Sequence, residues 1–301
     1  MQSNNGNKAI NQSAFPLNKL DYFLLLILVI VISWLYYRSA IGVNYQWHWA
    51  AAFDLIFTSR RDGSLPYFFQ GLISTLRLTG WGLLFALLAG TLIGIARHSQ
   101  FALLRTPAVL YIQLIRNIPP LVFIFIFYFF VSNQLIPLLG LEHLLRQSNH
   151  NSNAIVTFLF GPRNLWENLL SGVFCIGLLS AAYIAEVVRS GLEGIDKGQW
   201  EAAQTLGLST WAKYRFVIAP QVISNITPPL AGQTISLVKD SSIVSLISIQ
   251  ELTFSGTEIA NSSGFIFEIW IFVGIAYLIL CLSLSLLFSK IESKSRKYLV
   301  K

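Results

Sequence analysis

The sequence contains little charge for its length. Only 12% of its 301 residues are Asp, Glu, Lys or Arg, whereas soluble domains contain about 25%. Hydrophobic residues make up 54% of the chain, and the mean hydropathy is +0.60. This shortage of charge excludes a disordered chain, a coiled coil and an ordinary cytosolic enzyme. The composition therefore predicts a membrane protein.

Cysteine is also scarce, with only 2 residues in the chain, which excludes a disulfide scaffold. Cys175 and Cys281 lie within apolar segments and lack the spacing of metal ligands, so we interpret them as small buried hydrophobic residues. The sequence also lacks a G-x-x-x-x-G-K-[ST] phosphate loop. No paired Asp, Ser–His or metal-binding constellation falls within the apolar segments, which argues against an intramembrane enzyme.

Six apolar segments are long enough to cross a bilayer as helices, because about 20 apolar residues span its hydrocarbon core. These candidate spans cover residues 20–37, 71–96, 106–131, 169–188, 216–238 and 269–288. The first resembles a signal peptide in length, but no small-residue cleavage site follows it, so we expect a retained span.

Positive charge predicts the orientation of these spans. If the N-terminus is cytoplasmic, 13 Lys and Arg residues fall on the inner side and 5 on the outer side. Because such residues accumulate on the cytoplasmic side, we expect both termini there. The connection at 189–215 is then cytoplasmic, while 38–68, 132–168 and 240–265 are external.

The third and fifth spans are too irregular to be inert anchors. The third contains the run Arg116-Asn117-Ile118-Pro119-Pro120. Consecutive prolines bend a helix and free backbone carbonyls, so this break must face protein or a water-filled cavity. The fifth span contains two consecutive prolines and many polar side chains, and it is followed by Lys239-Asp240. This pattern indicates a broken span that lines a pathway.

Charged residues within spans are candidates for function because burying them in a bilayer is costly. Glu186 and Arg189 lie three residues apart on one predicted helix, and we favour a structural ion pair over a substrate contact. For Arg116, a role in a functional site and a structural role within the helix bundle are equally favoured. Arg77 lies close to the outer end of its span and can reach the headgroups.

The cytoplasmic connection contains a predicted short helix at residues 198–209. Its Ala, Glu, Gln and Leu residues favour a helix, and Gly207 suits the left-handed position that ends one. Such a helix fits both docking to a partner protein and lying on the lipid headgroups. Two faces are predicted for this helix. Trp200, Ala203 and Leu206 fall near one face, and Glu201 and Gln204 point toward another side.

This stretch resembles the EAA motif, EAA-x3-G-x9-I-x-L-P, of permease subunits in ATP-binding-cassette (ABC) importers. The residues that carry the resemblance are Glu201-Ala202-Ala203, Gly207 and Val217-Ile218-Ala219-Pro220. Val217 and Ala219 depart from the pattern by apolar exchanges. In that family the EAA helix fits a groove on the cytoplasmic ATPase.

Further segments are similar to permeases of the polar amino acid uptake branch, namely 182–191, 197–200 and 237–245. Residues 116–120 occupy the place of that branch's Arg-Gly-Thr-Pro element. Their sequence, Arg-Asn-Ile-Pro-Pro, is more similar to that of a subgroup for general L-amino acids, although Pro120 departs from that version as well. The resemblance covers about residues 68–290. Residues 1–67 and an insertion at 140–165 lie outside it.

The resemblance implies an all-α membrane protein with about six transmembrane helices and a type I ABC importer (MetI-like) permease fold. The expected regions are an N-terminal tail, first span and external connection (1–67), a transmembrane domain (68–290) with a coupling helix near 199–208, and a basic cytoplasmic tail (291–301). The implied ATPase-coupling residues are Trp200, Glu201, Ala202, Ala203 and Gly207.

The resemblance also implies a function and a set of partners. The chain would form the translocation pathway of an ATP-driven amino acid uptake system in a bacterial cytoplasmic (inner) membrane, and it would not itself be an enzyme. Its partners would be an ABC ATPase dimer, a second permease subunit (identical or related), an extracytoplasmic amino acid-binding protein and the lipid bilayer. ATP and magnesium would bind to the ATPase, with no cofactor in this chain and no nucleic acid partner.

A zwitterionic amino acid needs hydrogen-bond donors for its carboxylate and an acceptor for its ammonium group. The candidate pathway residues are Arg116, Asn117, Glu186, Gln233, Lys239 and Asp240. The main alternative is a secondary transporter that uses Glu186 and Asp240 as ion sites. It predicts transport without an ATPase and does not explain the EAA stretch.

Overall fold

A computed structural model of the chain describes residues 19–42, 45–58, 64–138, 140 and 154–296. The expected N-terminal tail (1–18), much of the 140–165 insertion and the end of the basic tail (297–301) lie outside the described residues. The chain divides into two compact units between Trp47 and His48. The described residues form helices and turns and no strand.

The described part of the first unit contains one helix, α1 (Lys19–Gly42). The α-helices of seven or more residues described in the second unit are α2 (Trp49–Phe57), α3 (Tyr67–His98), α4 (Ala102–Asn117), α5 (Pro120–Phe130), α6 (Ala154–Phe160), α7 (Trp166–Glu193), α8 (Lys197–Thr205), α9 (Ala219–Asp240), α10 (Leu252–Ser263) and α11 (Ile266–Arg296). A π-helical turn, Lys213–Ile218, leads into α9, and a 3-10 turn, Ser241–Ile247, follows it.

Most of the expected spans are present as apolar helices. Among the described residues, four segments are long and apolar enough to cross a membrane: Lys19–Arg38, Tyr67–His98, Ile155–Glu193 and Ile266–Glu292. Helices α4 and α5 form a fifth if the bent pair is taken as one span, with an angle of 118° at the break between them. The bend follows from Pro119 and Pro120, as the sequence predicts.

The expected fifth span differs from its prediction. Helix α9 has 22 residues and runs through Pro228 and Pro229 without a break. Its irregular backbone lies instead at its two ends, in the π-helical turn and the 3-10 turn. The broken span that the sequence predicts is thus interrupted after Asp240 and not at the prolines. Helix α9 is absent from the apolar segments because of its polar side chains.

Helices α3 and α7 pack closely through glycine residues of α3. A Cβ atom on Gly90 would lie 2.8 Å from the Cβ of Ile184, and one on Gly94 would lie 2.7 Å from the carbonyl oxygen of Ala185. These glycines therefore permit close helix approach, which is the usual effect of small residues four positions apart in a membrane helix. The surrounding core includes Leu78, Phe123, Ile176, Leu179, Ile218 and Leu237. Cys175 is buried and Cys281 is partly buried.

A second core joins α2 to the N-terminal parts of α3 and α11 and to α10. Its buried members include Ala52, Ile56, Phe68, Leu252 and Ile269. The backbone N–H of His48 donates to Glu268 at 2.8 Å. Glu268 is fully buried, so this contact fixes the start of α2 against α11.

Candidate coupling and pathway site

Helix α8 satisfies the backbone groups at its own ends. At the N-terminus, Asp196 accepts a hydrogen bond from the N–H of Gly198 at 2.6 Å. At the C-terminus, Leu208 donates to the carbonyl of Ala203, and Gly207 donates to that of Gln204. Gly207 has φ +68°, which gives the Schellman arrangement that ends many helices. The left-handed position predicted for Gly207 is confirmed.

The helix has one attached face and one exposed face. Ala203 is buried and Trp200 is half-buried, while Glu201 and Gln204 are exposed, as the spacing predicts. Leu206 was expected beside Trp200 and Ala203, but 76% of its surface is exposed. This prediction was wrong because a step of three residues falls short of a full helical turn, so that Leu206, six residues after Trp200, lies about 120° around the helix from it.

Trp200 attaches α8 to two neighbouring elements. Its ring lies 6.5 Å from that of His98, at the C-terminus of α3, and 5.4 Å from that of Tyr214, which it meets edge-on. The ammonium group of Lys213 lies 5.9 Å from the same ring. Trp200 is thus held within this chain, whereas Glu201 and Ala202 are exposed.

A cluster of charged side chains, which we call the Glu186 cluster, lies near the C-terminal end of α7. Arg189 donates to Oε1 of Glu186 at 2.7 Å, which is the i,i+3 pair expected from the sequence. Oε2 of Glu186 pairs with Arg97 and lies 3.8 Å from Nη1 of Arg116. Arg189 also pairs with Glu193. The cluster therefore joins α3, α4 and α7.

Arg116 lies at the break between α4 and α5. Its guanidinium is 5.7 Å from the ring centroid of Tyr183, and 42% of its side-chain surface is exposed. Asn117 donates to the carbonyl of Gln113 at 2.6 Å within its own helix. Ile118 packs against the main core, whereas Arg116, Asn117 and Pro119 are exposed. One side of the break therefore contacts protein.

The other candidate pathway residues lie on α9. Lys239 is exposed, while Gln233 and Asp240 are half-buried. Among the described residues, no hydrogen bond or ion pair joins these three side chains to the Glu186 cluster. The structure thus brings Arg116 and Glu186 together and leaves the remaining candidates apart from them.

An open cleft of about 350 Å³ separates α7 from α9 beside Glu186. Its polar lining consists of Glu186, Ser190 and Asn225. The helices are in close contact at Gly191, where a Cβ atom would lie 2.2 Å from a methyl group of Ile226. The cleft therefore gives an acidic and an amide side chain access to the same space.

Sequence reasoning missed Arg97 and Glu193 as members of the cluster. Both lie near helix ends, but only three-dimensional packing shows that Arg97 reaches Glu186.

A second residue that sequence reasoning missed is Glu251. This residue is fully buried, accepts a hydrogen bond from the hydroxyl of Tyr277 at 2.6 Å and caps α10. Among the described residues, no group of three or more His, Cys, Asp or Glu side chains is placed to hold a metal ion.

Comparison with known families identifies the kind of protein to which this arrangement belongs. The family of binding-protein-dependent transport system inner membrane components matches residues 82–297. The match includes α8, the Glu186 cluster, all of α4 and α7, and the C-terminal half of α3. The chain belongs to this family. The matched region begins within α3, so α1 and α2 precede it.

Individual relatives agree with the family. The chain is 34% identical over 237 residues to the probable amino-acid ABC transporter permease protein YckA of Bacillus subtilis, covering 79% of this chain and 92% of the relative. It is 30% identical over 232 residues to the glutamate/aspartate import permease protein GltK of Escherichia coli, covering 77% and 95%.

A solved structure supports the same fold. A subunit in the crystal structure of an amino acid ABC transporter with histidines matches with a TM-score of 0.63 and 28% identity, covering 83% of this chain and all of the other. A bacterial ABC transporter involved in the import of the acidic polysaccharide alginate matches with a TM-score of 0.58 at 16% identity, covering 92% of this chain and 96% of the other. This second likeness concerns the fold alone.

Proposed function

We propose that this chain is the membrane-spanning permease subunit of an ATP-driven amino acid uptake system, and that α8 couples it to a separate ABC ATPase. The observation that carries the proposal is the geometry of α8. The helix is capped by its own residues and fixed to the body by Trp200, while Glu201 and Ala202 remain exposed. A rigid helix with a free face is suited to a groove on a partner protein.

The surface beside α8 supports a protein partner. Leu206 is 76% exposed, Trp211 68% and Phe216 64%. Large apolar and aromatic side chains are enriched in the buried centres of protein interfaces. In the assembled transporter, the ATPase would cover α8 together with part of this apolar surface.

The remaining partners are proposed from what the family implies. ATP and magnesium would bind to the ATPase dimer, and we propose no cofactor for this chain. A second permease subunit, identical or related, would complete the pathway, and an external binding protein would deliver the amino acid. Both termini and α8 would face the cytoplasm, in a bacterial cytoplasmic (inner) membrane, as the distribution of positive charge favours.

Arg116 is our preferred candidate for contact with the carboxylate of the substrate. Its side chain is partly exposed and only loosely paired with Glu186, at 3.8 Å, so guanidinium donors remain for a second anion. Glu186 is engaged by Arg97 and Arg189, which makes it a poor acceptor for an ammonium group. The α9 residues Gln233, Lys239 and Asp240 stay candidates for the pathway.

The test begins with purification of the tagged chain from its native membrane together with its ATPase. The complex and its external binding protein are then reconstituted in proteoliposomes with radiolabelled L-amino acids. We expect uptake that requires ATP and survives collapse of proton and sodium gradients. Uptake by the chain alone, driven by an ion gradient, would contradict the proposal and support a secondary transporter.

The orientation is tested separately by labelling. A Gln204→Cys variant places a thiol on the exposed face of α8, and Cys281→Ser removes the partly buried background thiol. A membrane-impermeant maleimide should label this site only in inside-out vesicles. Labelling in intact cells would place α8 outside and exclude coupling to a cytoplasmic ATPase.

A further inference from the structure

The Glu186 cluster joins three helices through one carboxylate. Arg97 belongs to α3, Arg116 to α4, and Arg189 to the same helix as Glu186 itself. The side chains of Arg97, Glu186 and Arg189 are only 21–23% exposed. Without Glu186, three guanidinium groups would face one another in this partly buried space, so the carboxylate holds the helices together.

The same end of α3 also contacts α8 directly. His98, the residue after Arg97, lies against the ring of Trp200 in α8. In addition, α7 ends at Glu193, and α8 begins at Lys197. Two connections therefore link α8 to α3, one through Trp200 and one through α7 and Glu186.

The cluster reaches the bend of the third span. Arg116 lies in the last turn of α4, immediately before the chain turns by 118° into α5. The guanidinium of Arg116 contacts both Glu186 and the ring of Tyr183 on α7. The bend is thus tied to the helix that leads into α8.

We propose that Glu186 and Arg97 are positioning residues that transmit movement of α8 to the α4–α5 bend, so that α3, α4 and α7 move together when the ATPase closes. This inference rests on the proposed function, because it requires a motor that moves α8. An interhelical charge pair suits the task, since it resists relative sliding of the helices while leaving the backbone intact.

The test compares variants of the complete reconstituted transporter. Glu186→Gln and Arg97→Gln each remove the link between α3 and α7. Glu193→Gln is the matched control, because its partner Arg189 belongs to the same helix and no interhelical link is lost. The measured quantity is the amount of radiolabelled amino acid accumulated per ATP hydrolysed.

We expect Glu186→Gln and Arg97→Gln to lower this ratio about fivefold or more, the lower end of typical coupling between distant sites, while ATP hydrolysis continues. Glu193→Gln should leave it within about twofold. Arg97→Lys, which retains the charge, should restore much of the ratio. A purely structural cluster would lower the yield of complex without changing the ratio in the complexes that assemble.

An unchanged ratio in Arg97→Gln and Glu186→Gln complexes would overturn the inference. So would an equal fall in Glu193→Gln. If Glu186→Gln fails to assemble, Arg97→Gln and Arg97→Lys still decide the question. Failure of the proposed function is distinguishable, because the unaltered complex would then show no ATP-driven accumulation.

Discussion

Two short helices are attached to α3, and they are attached in different ways. Helix α6 lies against its N-terminal half, where Arg77 donates to the carbonyls of Phe158 and Thr157. Trp81 donates to the carbonyl of Leu159 at 3.1 Å. Helix α8 lies at the other end of α3 and makes its contact through the ring of Trp200.

The difference lies in how the last carbonyls of each helix are satisfied. A helix leaves its final carbonyl groups without partners inside the helix. For α6, side chains of α3 donate to the carbonyls of Thr157, Phe158 and Leu159, so the end of α6 is fixed to the body, and the N–H of Gly161 also donates to Thr157. For α8, the donors are the N–H groups of Gly207 and Leu208. A helix that completes itself keeps its outer face available to another protein.

The largest effect is expected when the self-completed end of α8 is disturbed. Gly207→Val places a branched side chain at φ +68°, a conformation that costs about 1–3 kcal/mol for residues other than glycine. The end of α8 should distort, and the ATPase retained by the purified chain should fall about tenfold. Quantitative co-purification measures this.

Gly264→Val is the matched control for that variant. Gly264 has φ +79° at the end of α10, and a Cβ atom there would meet no other atom within 4 Å, so the strain is similar but lies elsewhere. This variant should reduce the yield of folded protein and leave retention of the ATPase unchanged. Equal retention by the two variants would show that the end of α8 has no special part in docking.

A smaller effect is expected on the exposed face of α8. Glu201→Ala removes a charged acceptor without touching the core, and charge-assisted hydrogen bonds are the stronger ones in an interface. ATP-driven uptake should fall about fivefold, the equivalent of about 1 kcal/mol, with an unchanged melting temperature. Gln204→Ala, on the same face, is the control and should have less effect. A lower melting temperature in Glu201→Ala would mean a structural role instead.

Local rules account for the parts of the molecule that the sequence predicted. The span lengths, the bend at Pro119 and Pro120, and the left-handed Gly207 depend on residues close together in the chain. The Glu186–Arg189 pair follows from helical spacing in the same way. These features are readable from a single sequence because their geometry is fixed by one helix or one turn.

The parts that were missed depend on packing between helices. Arg97 is an ordinary basic residue at a helix end until α3 lies beside α7. The contact of Arg77 with carbonyls of α6 was likewise not predicted. In both cases, the partner is remote in the chain. Leu206 was misplaced for a local reason, because steps of three residues drift around a helix of 3.6 residues per turn.

The attachment of α6 to α3 is expected to affect the thermal stability of the complex and not the coupling of ATP hydrolysis to uptake. Arg77→Gln removes charged donors from the carbonyls of Thr157 and Phe158, and hydrogen bonds to charged groups contribute about 1.5–3 kcal/mol. The melting temperature of the purified complex should fall, while ATP-driven uptake per folded complex stays within about twofold. Arg105→Gln is the control, because the exposed Arg105 side chain pairs with no described residue. Loss of uptake without loss of stability would assign Arg77 a part in transport.

The smallest effect is expected for Trp81→Phe. This change removes one N–H donor to Leu159 but keeps an aromatic ring against Phe160, whose ring lies 5.1 Å from that of Trp81. A neutral hydrogen bond contributes about 0.5–1.5 kcal/mol, so the melting temperature should fall less than in Arg77→Gln. Trp81→Ala loses the ring as well and should fall further. If Trp81→Phe and Trp81→Ala were equally destabilised, the hydrogen bond to α6 would outweigh the stacking, and the attachment of α6 would depend on its carbonyl groups alone.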